Sequence, residues 1–174
     1  MSDPLLFIMI VGPSGTGKST VARQFVSDEF ICEADTFPNL YVQGVLQSQL
    51  LQQAHQVCKN KVEYLMSRRI PTIVQSNTNL DLGEKGIKPY VALALHYGYE
   101  IHLLLPSYGL LHYESIHMTR ESQLKEIIAN RSIGDKIVPP HVVERMIQTY
   151  ESLHFALLRL AQTTDPSIMY SMLE

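Results

Sequence analysis

The sequence has no tryptophan, only two cysteines and no strong charge of either sign: 14 lysines and arginines stand against 17 acidic residues, a formal net charge of −3. Each shortage excludes something. A slightly acidic chain lacks the electrostatic footprint for wholesale binding to long nucleic acid, and a local pocket for one or two phosphates is what remains open to it. Cys32 and Cys58 make neither a metal-ligand spacing nor a disulfide framework, so both are expected as small buried hydrophobes in a reducing compartment. No apolar run approaches the roughly 20 residues of a transmembrane helix. Met1-Ser2-Asp3-Pro4 carries no basic stretch ahead of the first apolar run, so no secretory signal is expected, and the expectation is a cytoplasmic protein without membrane contact. The seven histidines (His55, His96, His102, His112, His117, His141 and His154) show no paired-ligand spacing, and no metal site is expected from them. Nothing in the sequence sets an oligomeric state.

What is present is a globular composition. Hydrophobic residues make up 45% of 174 positions, too many for a disordered chain and enough for a full core, which predicts a single domain over residues 1–174. The most informative stretch is Gly12-Pro13-Ser14-Gly15-Thr16-Gly17-Lys18-Ser19-Thr20, which fits G-x-x-x-x-G-K-[ST]. Its context is the one the motif requires. Leu5 to Val11 before it is an unbroken apolar run with the length and branching of a buried parallel strand, and Val21, Phe25 and Val26 after it make one helical face. Glycines let the backbone turn tightly and aim N–H groups inward at phosphate oxygens, and the following helix adds the positive end of its dipole. Lys18 is expected to reach the β- and γ-phosphates of ATP, and the Ser19 hydroxyl to bind Mg²⁺.

Strands and helices then alternate. A second strand is expected over Phe30–Ala34, ending at Asp35, and a long helix from about Val45 to Arg69, stopped by Pro71. A third strand is expected over Thr72–Gln75 and a turn from Gly83 to Gly86. A helix over Lys88–Tyr97 closes at Gly98, and a fourth strand follows over Glu100–Leu105. A loop spans Ser107–Met118, a helix Thr119–Asn130, a polar connection Arg131–Val138 and a final long helix from Pro140 to Ala161; Ser167–Leu173 reads as a short last strand. The pattern predicts an α/β protein, a three-layer P-loop NTPase/kinase fold with a mostly parallel sheet of four to five strands and a helical lid.

In such sheets ligands bind outside the carboxyl ends of the strands. The rule gathers the glycine loop, Asp35, Ser76 to Asn79 and Pro106-Ser107 at one edge, and sends Arg68 and Arg69 to the other. Asp35 is placed to accept a proton from an attacking hydroxyl or to hold Mg²⁺ through water. Asn77 and Asn79 are candidate substrate contacts, with turn-stabilising asparagines as the plain alternative. Arg131 is the candidate for an arginine closing over the transferring phosphate, Lys136 shares its connection, and Arg120 is the runner-up. Tyr41, Tyr108 and Tyr113 read as loop packing, with base stacking as the alternative.

These residues resemble the P-loop polynucleotide-kinase-like group, which includes the kinase half of phage polynucleotide 5′-kinase/3′-phosphatase and the kinase-like domain of ubiquitin-ligase-binding proteins. The similarity runs from about Leu5 to Leu153. Beyond the glycine loop it is carried by Ala34-Asp35-Thr36-Phe37, Ala54-His55 with Lys61, Ser76-Asn77-Thr78-Asn79-Leu80, Lys88-Pro89-Tyr90, Tyr99-Glu100-Ile101, Asn130-Arg131, Val138-Pro139, Met146 and Tyr150. The resemblance implies transfer of the ATP γ-phosphate to a hydroxyl with Asp35 as general base, Lys18 and Ser19 on phosphate and Mg²⁺, and Arg131 acting from the lid. Two positions depart from the pattern. Pro38 stands where the phage-type enzyme has an arginine for the substrate's 3′-phosphate, and neutral Ser76-Asn77 stands where an acidic residue is expected.

The leading expectation is an ATP/Mg²⁺-dependent kinase whose acceptor is the 5′-hydroxyl end of single-stranded nucleic acid. Pro38 and the acidic balance favour a nucleoside or another small hydroxyl acceptor instead. Ser76-Asn77 favours an ATP-binding module that transfers nothing. A toxin-type kinase acting on a nucleotide sugar is the furthest alternative.

Overall fold

The computed structural model describes residues 2–105, 125–129 and 134–174. A central sheet is built from β1 (Leu6–Ile10), β2 (Ile31–Cys32), β5 (Thr72–Gln75) and β6 (Glu100–Leu104), in the order β2-β5-β1-β6. All three pairings are parallel. The strand that feeds the glycine loop is therefore interior. Phe7, Met9 and Val11 alternate with Ile8 and Ile10 along β1, and the two sets join different clusters. Both faces are apolar because both are covered.

On one face, α2 (Leu51–Ser67), α3 (Ile87–Tyr97) and α5 (Pro166–Met172) contribute Val62, Val91 and Met169 to the main core. On the other, α1 (Lys18–Ala22) packs Val21 and Ala22, and Val26 just beyond it, against Ile8, Ile10, Ile31 and Val74. The long helix α4 (Pro140–Ala161) sends Tyr150, Leu157 and Leu160 into the main core and Val143 and Ile147 into a smaller cluster with Ile127 and Val138. This is the α/β architecture of a P-loop NTPase/kinase fold.

Five local expectations are corrected. The helix expected from Val45 starts at Leu51, because residues 41–46 form a hairpin: β3 (Tyr41–Val42) pairs antiparallel with β4 (Gly44–Leu46), Tyr41 facing Leu46 and Val42 facing Val45. The two turn residues, Gln43 and Gly44, have φ of 50° and 81°, the left-handed pair that a tight two-residue hairpin needs and a helix cannot hold. The polar connection before α4 contains β7 (Lys136–Ile137), which lies parallel to β4 and makes a second, three-stranded sheet. Gly44 serves here too, since a Cβ on it would sit 2.8 Å from Ile137 Cδ1.

The expected last strand at 167–173 is helix α5, with Pro166 in its first turn and Asp165 Oδ1 accepting from the Ser167 N–H at 2.9 Å. The central sheet accordingly has four strands. The helix after the glycine loop ends at Ala22, so Phe25 falls outside the buried face and is 48% exposed. The second strand shortens to two residues because Asp28–Phe30 and Ala34–Thr36 are 3-10 turns.

β5, α3, the Gly98 cap and β6 lie within a residue of their expected bounds. Gly98 takes φ 75° with no side chain required of it. Residues 125–129 are helical, as expected of that segment, while the loop Ser107–Met118, Arg120 and Arg131 lie outside the described residues. Among the described residues, no helix is long and apolar enough to cross a membrane.

Candidate functional site

The glycine loop is held on both sides by the sheet. Val11 N–H donates to the Leu104 carbonyl at 2.9 Å and Gly12 N–H to the Thr78 carbonyl at 3.0 Å. Gly15 and Gly17 have φ of 88° and 86°, conformations that only glycine takes without strain. A side chain on Gly12 would crowd the loop, as a Cβ there would come within 3.1 Å of Thr16 Oγ1. Pro13 and Thr16 shape the loop from within, through the bond from Thr16 Oγ1 to the Pro13 carbonyl at 2.8 Å. Lys18, only 9% exposed, donates its Nζ to the same carbonyl at 2.9 Å. An ammonium held against a neutral carbonyl is available for exchange onto phosphate oxygens, which are stronger acceptors for it.

The loop opens onto a cavity of about 600 Å³, within the usual range of small-molecule sites. Ser14, Gly15, Gly17, Lys18, Ser19 and Thr20 form its phosphate-loop wall. Glu33, Ala34 and Asp35 enter from the end of β2, and Ser76, Asn77 and Thr78 from the end of β5. The remaining wall is largely apolar: Val45, Leu46, Leu51, Ile137, Val138, Pro139, Val142 and Met146, with Tyr41 and His55 among them. Three strand-end segments that the chain separates by many residues thus meet at one edge. Arg68 and Arg69 precede β5, and neither lines the cavity.

Asp35 sits on its 3-10 turn with two partners. Lys136 Nζ lies 3.8 Å from Oδ2, and the Tyr41 hydroxyl donates to Oδ1 at 3.4 Å. Lys136 also stands 6.0 Å from the Tyr41 ring centroid. The small sheet therefore brings a cation and a phenol to the carboxylate. His55, one turn into α2, borders the same cavity; its surroundings hold its pKa below the ordinary 6.5 by burial, and the nearby Asp35 charge works the other way.

The two asparagines differ. Asn77 lines the cavity, but its amide is committed: Oδ1 accepts the Ala34 N–H at 2.8 Å and Nδ2 donates to Cys58 Sγ at 3.5 Å. Asn79 is not brought to the cavity. It is 6% exposed at φ 55°, donates to the Ile10 carbonyl at 2.9 Å and exchanges bonds with the Gln75 amide at 2.6 and 2.9 Å. That arrangement stitches the end of β5 to the end of β1.

Glu33 borders the site without having stood out in the sequence, where His55 figured only in the resemblance, Tyr41 as loop packing or base stacking, and Lys136 as a neighbour of Arg131. Glu33 and Ser76 occupy adjacent strand ends, and the Ser76 hydroxyl donates to Glu33 Oε1 at 2.5 Å. The position of Glu33 two residues before Asp35 was the available signal. The donors for a metal here are all oxygen (the Ser19 hydroxyl and the carboxylates of Glu33 and Asp35), a set that suits Mg²⁺. Among the described residues no cluster of three or more histidine, cysteine or acidic side chains could hold a metal by itself. Arg131, the expected lid arginine, lies outside the described residues.

The chain belongs to a P-loop family described as AAA domain, whose model matches residues 7–153. The match takes in the glycine loop and every strand of the central sheet. No curated protein matches the chain. Among solved structures, it is similar to one from a molecular and structural characterization of the PezAT chromosomal toxin–antitoxin system of the human pathogen Streptococcus pneumoniae, at 18% identity over 91% of this chain and 88% of that one, with a TM-score of 0.39.

Proposed function

We propose that the protein is an ATP/Mg²⁺-dependent kinase, a single domain over residues 1–174, that moves the γ-phosphate to a hydroxyl. The observation that carries this reading is the shared cavity, in which Lys18 and Ser19 of the glycine loop and Asp35 of the β2 turn line one space. The loop N–H groups and Lys18 hold the triphosphate, and the Asp35 carboxylate takes the proton of the acceptor hydroxyl. The acceptor oxygen bonds to the γ-phosphorus as the bond from that phosphorus to the β–γ bridging oxygen breaks, and ADP leaves. The Ser19 hydroxyl and the strand-end carboxylates would hold Mg²⁺, which would supply neutralisation of the phosphate charge. Arg131 is assigned the closing role on the transferring phosphate.

The family resemblance favours a polynucleotide 5′-hydroxyl as acceptor. The cavity wall favours a second reading. The cavity that Asp35 lines is also lined by Val45, Leu46, Ile137, Val142 and Met146, which suits a hydroxyl on an apolar or aromatic body, such as a nucleoside, better than a phosphate-bearing strand.

The experiment uses γ-labelled ATP, Mg²⁺ and a panel of 5′-hydroxyl oligonucleotides, nucleosides and small alcohols. Label on oligonucleotides supports the first acceptor, and label on nucleosides or alcohols alone supports the second. Tight ATP binding with label on no acceptor removes the kinase reading and leaves a nucleotide-binding module.

A further inference from the structure

β2 and β5 run parallel, with Ile31 beside Val74 and Cys32 beside Gln75. One residue further along both chains stand Glu33 and Ser76, at the strand ends that open on the cavity. Ser76 N–H donates to the Cys32 carbonyl at 3.2 Å, which carries the pairing to that point, and its hydroxyl donates to Glu33 Oε1 at 2.5 Å. A hydroxyl–carboxylate bond of this length is charge-assisted. It fixes one carboxylate oxygen and leaves the acceptor capacity of the second to other donors.

P-loop NTPases hold the nucleotide's Mg²⁺ between the loop hydroxyl and a strand-end aspartate. In this chain the end of β5, the strand beside β1, carries the neutral pair Ser76-Asn77, and the Asn77 amide is already spent on Ala34 and Cys58. The carboxylate stands one strand over, on β2, and reaches across to the Ser76 hydroxyl. Asp35, two residues on, has Lys136 and Tyr41 as partners.

We propose that Glu33, set in place by Ser76, is the carboxylate with which this chain holds the magnesium of ATP–Mg²⁺, the acid standing at the end of β2 and the hydroxyl at the end of β5. The inference rests on the ATP-binding reading of the glycine loop. A bond that merely ties β2 to β5 needs a hydrogen-bond acceptor at position 33 but no charge, and this is the point on which the two accounts separate.

The test is calorimetric titration of the full chain with ATP, once in EDTA and once in saturating Mg²⁺, with Mn²⁺ binding followed by electron paramagnetic resonance. Glu33→Gln keeps an oxygen for Ser76 and removes the charge. The variant is expected to bind metal-free ATP like the unsubstituted chain, while its affinity for Mn²⁺ in the ATP complex and its gain from Mg²⁺ fall by about 10–100-fold. The double exchange Glu33→Ser/Ser76→Asp, which places the acid on β5, is expected to restore both. A Glu33→Gln protein with the full Mg²⁺ gain and unchanged Mn²⁺ affinity overturns the inference and leaves a strand tie. So does a folded double exchange that binds metal-free ATP normally and gains nothing from Mg²⁺. Failure of the unsubstituted chain to bind ATP in either buffer removes the glycine-loop reading itself, and the inference with it.

Discussion

Asn77 Oδ1 accepts the backbone N–H of Ala34 at 2.8 Å, and Ala34 is the residue before Asp35. The end of β5 thereby sets the turn on which the candidate base is carried. The two residues are 43 apart in sequence, and the bond links the β5 end directly to that turn. Asn77 acts as a positioning residue in this arrangement, because both ends of its amide are engaged by protein.

The consequence is measurable. Asn77→Ala releases the turn, and phosphate transfer is expected to fall on the order of 10²-fold, the effect of displacing a reacting group by about 1 Å, with ATP affinity unchanged. Asn77→Asp keeps an acceptor for the Ala34 N–H and is expected to retain most of the rate. Steady-state kinetics beside ATP titration separates the two effects. A loss of ATP affinity equal to the loss of rate would place Asn77 on the nucleotide instead.

Asn79 should behave differently. Its side chain bonds the Ile10 carbonyl and Gln75 in the interior, and its backbone holds φ 55°. Asn79→Ala strands those partners, at about 1–3 kcal/mol for each buried group left unsatisfied, and asks alanine to hold a left-handed conformation. Chemical denaturation is expected to show a large loss of stability. The KM for the acceptor, measured on the folded protein, is expected to stay as it was.

His55 gives a signed pH prediction. Burial holds its pKa below 6.5, and the Asp35 carboxylate partly offsets the effect by favouring the charged ring. Removing that charge with Asp35→Asn is expected to lower the His55 pKa further, read by NMR titration of the ring protons. An unchanged or raised value would mean the two groups do not sense each other. Because the folded state resists protonation at His55, the unfolded chain takes up that proton at higher pH. The contribution of His55 to stability is then complete above 6.5 and is lost as pH falls through the lower folded-state value. His55 is exposed, so solvent screens the ring and the effect on stability is small.

Much of the sheet was legible because its signals are local. The run before Gly12, the Thr72–Gln75 strand, Gly98 after α3 and the strand from Glu100 each announce themselves within a few residues. The glycine loop followed from its motif, and its meeting with Asp35 from the rule that strand ends converge. The hairpin at 41–46 was missed because Val45 and Leu46 continue the three-to-four spacing of α2, and only Gln43-Gly44 marks the break. The small sheet was missed because Lys136–Ile137 is two residues long and its partner lies some 90 positions earlier. Asn77 and Asn79 looked equivalent in sequence, and only the left-handed backbone at Asn79 sends one inward and leaves the other at the cavity. Glu33 was hidden for a similar reason, since its meaning depends on which residue stands opposite it across β5.

The central claim is that the glycine loop and Asp35 serve one reaction. The most direct measurement compares ATP binding and γ-phosphate transfer in the unsubstituted chain, Lys18→Ala and Asp35→Asn, using the acceptor that the panel identifies. The account predicts that Lys18→Ala loses ATP affinity, whereas Asp35→Asn binds ATP normally and transfers phosphate about 10²–10⁴-fold more slowly. Transfer at the full rate by Asp35→Asn would contradict it.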